Sequence, residues 1–397
     1  MVLRILYVLL ITLILPDAYL YLRLMYKRQR PLWARISFFV PNTILLITAF
    51  VLAHIESHTP ENMKTMMFFF NFYMLVALPK SVFMLTDIVG AGLGLIWKKL
   101  RRPATILSTI LSVTLFIILL TGMTFGPSHL KVRQADFSSH DLPASFDGYR
   151  IVQFTDLHLT SFRNKPEVVD KLVNTILAQK PDMIVFTGDL VSTDVDEMDG
   201  FEETLSRLWA PDGVYSVMGN HDYLTYARYL SHKEQAIHRH ELMERQKQLG
   251  WNLLLNSHQV IHRGSDSIAV VGVENDGKPP FPERGDLKKA LKNLPGYNQP
   301  EQSEPKMFKV LLSHDPTHWR RKVLPETDIQ LTLSGHTHGM QFMIFGWSPS
   351  EFIYPEWRGM YTENERSLHV SLGVGGALLP FRFGAWPEIN VITLHRK

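Results

Sequence analysis

The chain of 397 residues exceeds one typical domain of about 100–200 residues, so we expect two structural units. Hydrophobic residues make up 46% of the chain, which excludes a mainly disordered protein. Cysteine is absent, and this excludes disulfides, thiol catalysis, iron–sulfur clusters and cysteine-ligated zinc.

The two parts of the chain carry opposite charge. Residues 1–125 hold 12 of the 41 Lys and Arg but only 4 of the 38 Asp and Glu, so their net charge is +8 and that of residues 126–397 is −5. We therefore expect a domain boundary at residue 125. A net negative charge on the larger part argues against nucleic acid as its main partner, because phosphate backbones favour concentrated basic surface.

Residues 1–125 contain four apolar runs, and a bilayer core takes about 20 apolar residues to cross as a helix. We expect an all-α transmembrane region of about four helices, with no small-residue cleavage site after the first run. The third run is interrupted at Pro79 and Lys80, so it forms either one kinked span or two shorter ones, and we favour one. The runs are approximately residues 2–22, 36–55, 66–96 and 104–125.

Positive charges predict the orientation, because short loops rich in Lys and Arg stay in the cytoplasm. Two such segments, within residues 23–35 and 98–102, flank the first and fourth runs, whereas residues 54–64 lack this bias. Four spans would then place everything after residue 125 outside the cytoplasmic membrane, which in a Gram-negative cell is the periplasm. Asp17, Lys80 and Asp87 lie within or beside the runs. Such residues either line a transport path or reach the membrane interface near helix ends, and we favour the second interpretation.

From residue 126 onward, short apolar runs alternate with helix-like stretches, which is typical of an α/β domain. Helices are expected at 165–179 and 224–249, and residues 275–306, rich in proline, read as a loop-rich insertion. Eight strands are expected, at residues 150–155, 183–187, 213–218, 268–273, 309–313, 329–334, 368–372 and 390–394.

Five of these strands are followed directly by ionisable or amide residues. In open sheets, binding groups collect beyond the carboxyl ends of the strands, so the five strand ends can converge on one site. The candidate metal ligands are Asp156, His158, Asp189, Asn220, His314, His336 and His338. Seven ligands exceed the needs of one ion, so we expect two ions that share a carboxylate. Oxygen and imidazole ligands without sulfur suit Mn, Fe or Zn.

These motifs resemble the calcineurin-like metallophosphoesterases, whose pattern is D-x-H, G-D, G-N-H-[DE], H and G-H-x-H, and the likeness spans roughly residues 150–395. It is closest to the membrane-anchored bacterial branch. The resemblance implies a four-layer αββα sandwich of two mixed sheets flanked by helices. It also implies that Asp156, His158 and His338 hold one ion, that Asn220, His314 and His336 hold the other, and that Asp189 bridges them.

The chemistry of phosphate esters explains why paired cations and a histidine belong together. Two cations about 3.5–4 Å apart neutralise the phosphate oxygens, and a water between them loses its proton near neutral pH and becomes the nucleophile. The departing oxygen then needs a proton, which an imidazole can deliver. We assign this role to His221, with Asp222 expected to orient it. The chain lacks the G-x-S-x-G elbow and the G-x-x-x-x-G-K-[ST] loop, which disfavours a serine hydrolase and an NTPase.

Two weaker signals lie near the end of the chain. Arg382 follows a glycine-rich segment, so it either meets a substrate phosphate or is a surface arginine. The aromatic residues Trp347, Tyr354, Trp357 and Tyr361 either cover an acyl chain, sit at the bilayer interface or pack in the core.

The sequence thus predicts a membrane-anchored, metal-dependent phosphoric ester hydrolase. The anchor suggests a phospholipid, lipid-linked phosphate or lipid-linked diphosphate as substrate, because tethering raises encounters within one surface. A phosphodiester of an envelope polymer is the nearest alternative. The other class is a non-enzymatic, metal-stabilised sensor or transport module. The unused histidine beside seven ligands argues against that class.

Overall fold

The computed structural model describes residues 2–53, 60–163, 165–227, 229–295, 307–376 and 379–397. The chain divides into two compact units, Met1–Phe125 and Gly126–Lys397. The described part of the first unit is helical, and the second unit contains two β-sheets.

The first unit follows the predicted all-α pattern. Its described residues contain three helical segments long and apolar enough to cross a membrane, at Leu32–Leu52, Thr65–Ile96 and Lys98–Thr124. The third apolar run forms one continuous helix through Pro79. The α-helices are α1 (Val2–Leu20), α2 (Leu32–Ser37), α3 (Val40–Ala53), α4 (Pro60–Ile96) and α5 (Arg101–Thr124), with a π-helical segment at Tyr21–Tyr26.

Several charged residues in the described part of the first unit form ion pairs with one another. Lys80 Nζ lies 2.7 Å from Asp17 Oδ1, and both are largely shielded from solvent. The fully buried Asp87 carboxylate accepts from Arg101 at 3.1 Å and also contacts Arg23. These pairs join different helical segments, so each of these buried carboxylates is compensated within the helical unit.

The second unit is an α/β domain built on two six-stranded mixed sheets. The first sheet has the order β1-β12-β2-β3-β4-β5, and the second has the order β10-β11-β9-β8-β7-β6. The strands are β1 (Lys131–Ser139), β2 (Arg150–Phe154), β3 (Met183–Phe186), β4 (Val214–Ser216), β5 (Asn252–Leu253), β6 (Ser257–Arg263), β7 (Asp266–Gly272), β8 (Phe308–Leu312), β9 (Leu331–Ser334), β10 (Gly359–Glu363), β11 (Arg366–Val370) and β12 (Glu388–Arg396). The helices are α6 (Pro166–Ala178), α7 (Glu202–Ser206), α8 (His232–Gln248), α9 (Leu287–Ala290) and α10 (Leu324–Glu326).

Three apolar cores hold these layers together. The central core lies between the sheets and joins residues such as Val185 and Val310. An outer core packs α6 and α8 on the first sheet, and another packs α9 and the segment around Trp319 on the second. Helix–sheet–sheet–helix is the predicted four-layer αββα sandwich, which is confirmed.

All eight predicted strands are present, but one helix and one insertion differ in detail. The helix expected at 224–249 begins at His232, because Ser231 accepts from the Glu234 amide while the Glu234 side chain accepts from the Ser231 amide. Within 275–306, the structure describes residues 275–295, which form loops and α9. The rest of that insertion lies outside the described residues.

Candidate metal centre

The carboxyl ends of β2, β3 and β4 in one sheet and of β8 and β9 in the other meet at one edge of the sandwich. Hydrogen bonds join the sheets there. Gln153 Nε2 donates to the Ser334 carbonyl at 2.9 Å, and His314 Nδ1 lies 2.7 Å from the Thr187 carbonyl. The five motif-bearing loops therefore converge on one place, as the strand pattern predicts.

One group of candidate ligands combines Asp156, His158 and His338. Each offers an atom, and the three atoms lie within 4.8 Å of one another. His338 Nε2 is 3.3 Å from Asp156 Oδ1 and 3.2 Å from His158 Nε2. All three side chains are buried, so two imidazole nitrogens and a carboxylate oxygen converge on one point away from solvent.

A second group combines Asp189, His314 and His336 under the same distance limit of 4.8 Å. His314 Nε2 lies 3.2 Å from Asp189 Oδ2 and 3.3 Å from His336 Nδ1. The same Asp189 oxygen is 3.6 Å from His158 Nε2 in the first group. Asp189 therefore stands between the two groups, where a shared carboxylate would be.

Asn220 supplies an independent indication that a cation fits here. Its side chain is 1% exposed, and its Nδ2 donates to Tyr226 Oη at 3.0 Å. Its Oδ1 is buried and has no hydrogen-bond partner among the described residues. A buried oxygen without a partner is unfavourable, and a cation would satisfy it. The donor set of carboxylate, amide oxygen and imidazole matches divalent metals such as Mn, Fe or Zn.

Hydrogen bonds on the far side of the histidines direct one nitrogen of each toward the centre. His314 uses Nδ1 on the Thr187 carbonyl, which leaves Nε2 facing Asp189. His336 uses Nε2 on Tyr354 Oη at 3.0 Å, which leaves Nδ1 facing His314. Such outer partners fix the ring orientation and tautomer of a metal-binding histidine.

The electrostatics of the cluster also favour cations. Burial raises the pKa of Asp156 to about 6. His314 lowers this pKa, whereas the charge of Asp189 raises it further. Burial acts in the same direction on Asp189, yet His314 and His221 hold its pKa well below the usual range. Burial lowers the pKa of His158 to about 3, so this imidazole is neutral. Divalent ions would stabilise ionised carboxylates and neutral imidazoles together.

Five of the seven candidate ligands adopt the left-handed backbone region, which non-glycine residues rarely enter. These strained conformations are concentrated at the site. They turn the chain so that Asp156 and His158, which are two residues apart, reach the same point. A side chain at Gly219 would meet the Asp189 carboxylate, and one at Gly335 would meet the Asp156 carboxylate. The five φ values are 53° for Asp156, 43° for His158, 61° for Asp189, 74° for His336 and 50° for His338.

His221 stands beside the ligands with one nitrogen free. Its Nδ1 lies 2.7 Å from the Ser192 carbonyl and therefore carries the hydrogen, which leaves Nε2 for the site. Its ring centroid is 4.8 Å from that of His158. His221, His158 and Asp189 also have ligand atoms within 4.8 Å of one another. The geometry thus permits either an ion contact or a proton transfer.

The structure corrects the role expected for Asp222. Its carboxylate does not orient His221 but accepts from backbone amides, at 2.8 Å from Asp189 and Leu190 and at 2.9 Å from Gly219. These buried turn amides need an acceptor, and Asp222 supplies it. Asp222 therefore holds the loops that present Asp189 and Asn220, and the Ser192 carbonyl takes the orienting role.

Arg382 differs from both expectations. It is 1% exposed, so it is no surface arginine, and its guanidinium is used within the protein. Nη1 donates to the Leu372 carbonyl at 2.7 Å, Nε donates to the Gly375 carbonyl at 3.1 Å, and Nη2 lies 3.0 Å from His338 Nδ1. Arg382 thus lies behind His338 and holds the Leu372 and Gly375 carbonyls rather than facing a substrate phosphate.

Two tyrosines at the site were not predicted as functional residues. Tyr226 is 37% exposed and its ring centroid lies 4.4 Å from that of His221, while Tyr354 contacts His336. Tyr354 belonged to an aromatic cluster with several interpretations, and Tyr226 carries no sequence signal beyond its closeness to the G-N-H-D motif. Both hydroxyls contact candidate metal ligands, Tyr226 accepting from Asn220 and Tyr354 pairing with His336.

A four-layer αββα sandwich with Asp, Asn and His gathered at its strand ends defines a metal-dependent phosphoesterase. Residues 149–340 match the family model described as calcineurin-like phosphoesterase. Residues 3–127 match a second model, described as calcineurin-like phosphoesterase, transmembrane domain. The chain belongs to the calcineurin-like metallophosphoesterases and is a membrane protein, and its activity is that of a metal-dependent phosphoric ester hydrolase.

Individual relatives agree with this assignment. The uncharacterized metallophosphoesterase YkuE of Bacillus subtilis is 31% identical over 284 residues, which cover 68% of this chain and 86% of YkuE. A transmembrane protein with metallophosphoesterase domain from Bos taurus is 28% identical over 74% of this chain and 62% of its own length. The UDP-2,3-diacylglucosamine pyrophosphatase LpxG of Chlamydia muridarum is 28% identical over 67% of this chain and 89% of LpxG. Membrane-anchored relatives thus include an animal protein.

Proposed function

We propose that this protein is a dinuclear phosphoesterase that hydrolyses a phosphoester or diphosphate bond of a lipid-linked or other envelope substrate, outside the cytoplasmic membrane. The observation that carries the proposal is the position of Asp189. One of its carboxylate oxygens lies 3.6 Å from His158 Nε2 and 3.2 Å from His314 Nε2, between two ligand groups.

In this proposal the two groups hold two divalent ions, whether Mn, Fe or Zn. Asp156, His158 and His338 would hold one ion, and Asp189 would serve both. Asn220, His314 and His336 would hold the other, which would give the unpartnered Asn220 oxygen a cation. Such a pair would supply Lewis acidity and activate water near neutral pH.

His221 delivers the proton to the departing oxygen. The Ser192 carbonyl, 2.7 Å from Nδ1, holds one ring hydrogen and stabilises the protonated imidazole. Nε2 then carries the transferable proton toward the site. Tyr226 lies against the ring and restricts its position.

The substrate class follows from the anchor and from the relatives. LpxG is named as a pyrophosphatase of a diacylated nucleotide sugar, which is a lipid with a diphosphate. An enzyme tethered by apolar helices meets substrates of the same membrane more often than soluble ones. Because the basic segments at 23–35 and 98–102 favour the cytoplasm, an even number of spans would place the second unit on the extracytoplasmic side of the bacterial inner membrane.

The test is a substrate panel on the full-length, manganese-loaded protein in liposomes, with Asp189→Asn as the inactive control. The panel contains a nucleotide diphosphate lipid, a lipid phosphomonoester, a polymer phosphodiester and soluble bis-p-nitrophenyl phosphate. We expect the highest kcat/KM on a lipid-linked phosphate or diphosphate. Normal efficiency on soluble esters with no turnover of lipids would contradict the lipid assignment, and preference for the polymer would replace it.

A further inference from the structure

An exposed loop borders the candidate metal centre. This aromatic loop, residues 340–353, begins two residues after His338 and ends directly before Tyr354, whose hydroxyl lies 3.0 Å from His336 Nε2. Both ends of the loop are therefore fixed beside metal-binding histidines. Whatever the loop contacts lies next to the reaction site.

The aromatic loop exposes an unusual amount of apolar surface. Glu351 is its one charged residue. Contiguous exposed apolar surface on a folded protein marks an interaction site. Five large side chains are exposed, namely Met340 at 42%, Phe345 at 102%, Trp347 at 41%, Phe352 at 81% and Ile353 at 53%.

Phe345 occupies the tip in an unfavourable backbone conformation. Ile344 and Trp347 exchange hydrogen bonds of 2.9 and 3.0 Å around a two-residue turn, in which Phe345 has φ 50° and Gly346 has φ 84°. Such turns favour Asn, Asp or Gly, because a bulky side chain is strained at positive φ. Phe345 makes no compensating packing, since its side chain is fully exposed.

A second turn of the same kind shows the ordinary choice. Asn364 and Glu365 join β10 to β11 with φ 49° and 64°, and both are exposed polar residues. There the chain uses Asn at the first central position. The phenylalanine at the corresponding position of the aromatic loop is unfavourable for the folded domain. This indicates that its side chain serves a contact outside the domain.

The loop is held in shape before it meets a partner. Ser348 Oγ donates to the Gly339 carbonyl at 2.7 Å, and the Phe342 ring stacks on Phe383 at 6.1 Å between centroids. Trp347 and Phe352 lie edge to face at 6.1 Å. A preformed surface loses little conformational freedom on binding.

We propose that the aromatic loop inserts its tip into the interface of the bilayer that anchors the chain, so that the metal centre opens at the lipid headgroups. Aromatic residues are the side chains that membrane interfaces favour. With one acidic and no basic residue, the loop inserts through apolar contact and needs no anionic lipid. This inference goes beyond the proposed function and holds whichever phosphoester is the substrate.

Further aromatic rings of the second unit pack around the aromatic loop. The unit begins at Gly126, two residues after the end of the apolar helix α5. The His129 ring lies 5.1 Å from Trp386, which lies 5.7 Å from Phe383. Phe383 in turn stacks on Phe342 of the aromatic loop. A series of aromatic rings therefore connects the loop with His129 within the second unit.

The absence of cysteine makes a direct test possible, because one introduced cysteine carries the only spin label. The variants are Phe345→Cys and Phe352→Cys, with Asn364→Cys at the polar turn as matched control. Full-length labelled protein is placed in phosphatidylcholine liposomes, and collision with oxygen is compared with collision with a water-soluble nickel chelate. We expect labels at 345 and 352 to show a severalfold higher oxygen-to-nickel ratio than the label at 364, with no change on adding phosphatidylglycerol.

Two results would overturn the inference. One is a water-like ratio at both 345 and 352. The other is strong spin–spin broadening between copies without oxygen enrichment, which would assign the loop to a second copy of the chain. Hydrolysis of bis-p-nitrophenyl phosphate by the unmodified protein in the same liposomes tests the proposed function separately. An active enzyme with a water-exposed loop overturns the inference alone, and an inserted loop without turnover of any phosphoester overturns the function alone.

Discussion

The nitrogen and the oxygen of the buried Asn220 amide differ in their hydrogen bonding. Its nitrogen donates to Tyr226, whereas its oxygen has no partner among the described residues. An unsatisfied buried oxygen in a ring of imidazoles therefore indicates that the site is built for a cation.

Replacing Asn220 tests this at the residue scale. We expect Asn220→Ala to weaken binding of one of the two ions by about 10–100-fold or more, because a direct ligand matters at least as much as an outer partner. Asn220→Asp keeps the oxygen and should retain both ions. Titration calorimetry with Mn²⁺ measures the two sites, and unchanged binding by Asn220→Ala would remove Asn220 from the ligand set.

Substitution of His221 should affect turnover but not metal content, which distinguishes it from the metal ligands. We expect His221→Ala to lower kcat by about 10²–10⁴-fold, which is the usual contribution of a general acid, and to leave metal content intact. The measurement pairs turnover of bis-p-nitrophenyl phosphate with elemental analysis of the same sample. Since His221 also lies within reach of an ion, loss of metal in this variant would reassign it as a ligand.

Arg382 is expected to act through the segment that it holds. It donates to the Gly375 carbonyl at 3.1 Å, and the Gly375 amide donates to the Asp156 carbonyl at 2.7 Å, so Arg382→Lys should weaken metal binding by about 10–100-fold and leave KM unchanged once metal saturates the site. Metal titrations followed by activity separate the two effects. A raised KM with normal metal affinity would restore the substrate contact that the sequence left open.

The positions of the candidate ligands could be predicted because they belong to sequence motifs. The role of a residue could not be predicted where it depends only on a hydrogen-bond partner. Asp156, His158 and His338 follow strand ends, and the structure brings them together. The partners of Asp222 and Arg382 are backbone groups brought close by the fold. A sequence pattern contains no information about such carbonyls and amides, so both roles required correction.

At the scale of elements, β11 places a histidine between the sheets. His369 is 3% exposed and its Nδ1 donates to Gln153 Oε1 at 3.0 Å. Burial lowers the pKa of His369 from 6.5 to about 4. The unfolded chain therefore binds a proton at higher pH than the folded protein does, and stability is complete above pH 6.5 and falls as the pH drops toward 4.

Removing this titration should flatten the acid dependence of stability. Protonation of His369 should cost the metal-free protein about 3 kcal/mol of stability between pH 6.5 and 4. We expect this loss to be absent in His369→Gln, whose side chain keeps a donor for Gln153. His240→Gln, at an exposed position, is the control. Thermal unfolding across this pH range is the measurement, and identical slopes in the variant and the unmodified protein would contradict the prediction.

The elements themselves were predictable to the extent that burial produced apolar runs. Strands such as β3 and β8 are wholly buried and gave clear signals. β1 and β10 lie at sheet edges with largely exposed or half-buried side chains, so their polar sequences gave none. Edge strands form because a neighbour offers hydrogen bonds, which a pattern of hydrophobicity does not report.

At the scale of the whole molecule, hydropathy separated a helical membrane unit from an α/β unit, and the motif order indicated the family. The arrangement of charges within the membrane unit was not predictable, because Asp17 and Lys80 are 63 positions apart and pair only once their helices pack. Likewise, the use of Phe345 at an exposed tip emerges only from its backbone angle and full exposure.

The number of metal ions per chain tests the central claim most directly. Full-length protein, stripped with chelator and reconstituted with Mn²⁺, is examined by elemental analysis, with Asp189→Asn beside it. The account predicts two ions per chain in the unmodified protein and fewer in the variant, because Asp189 Oδ2 faces both His158 and His314. One ion or none after reconstitution would contradict a paired centre.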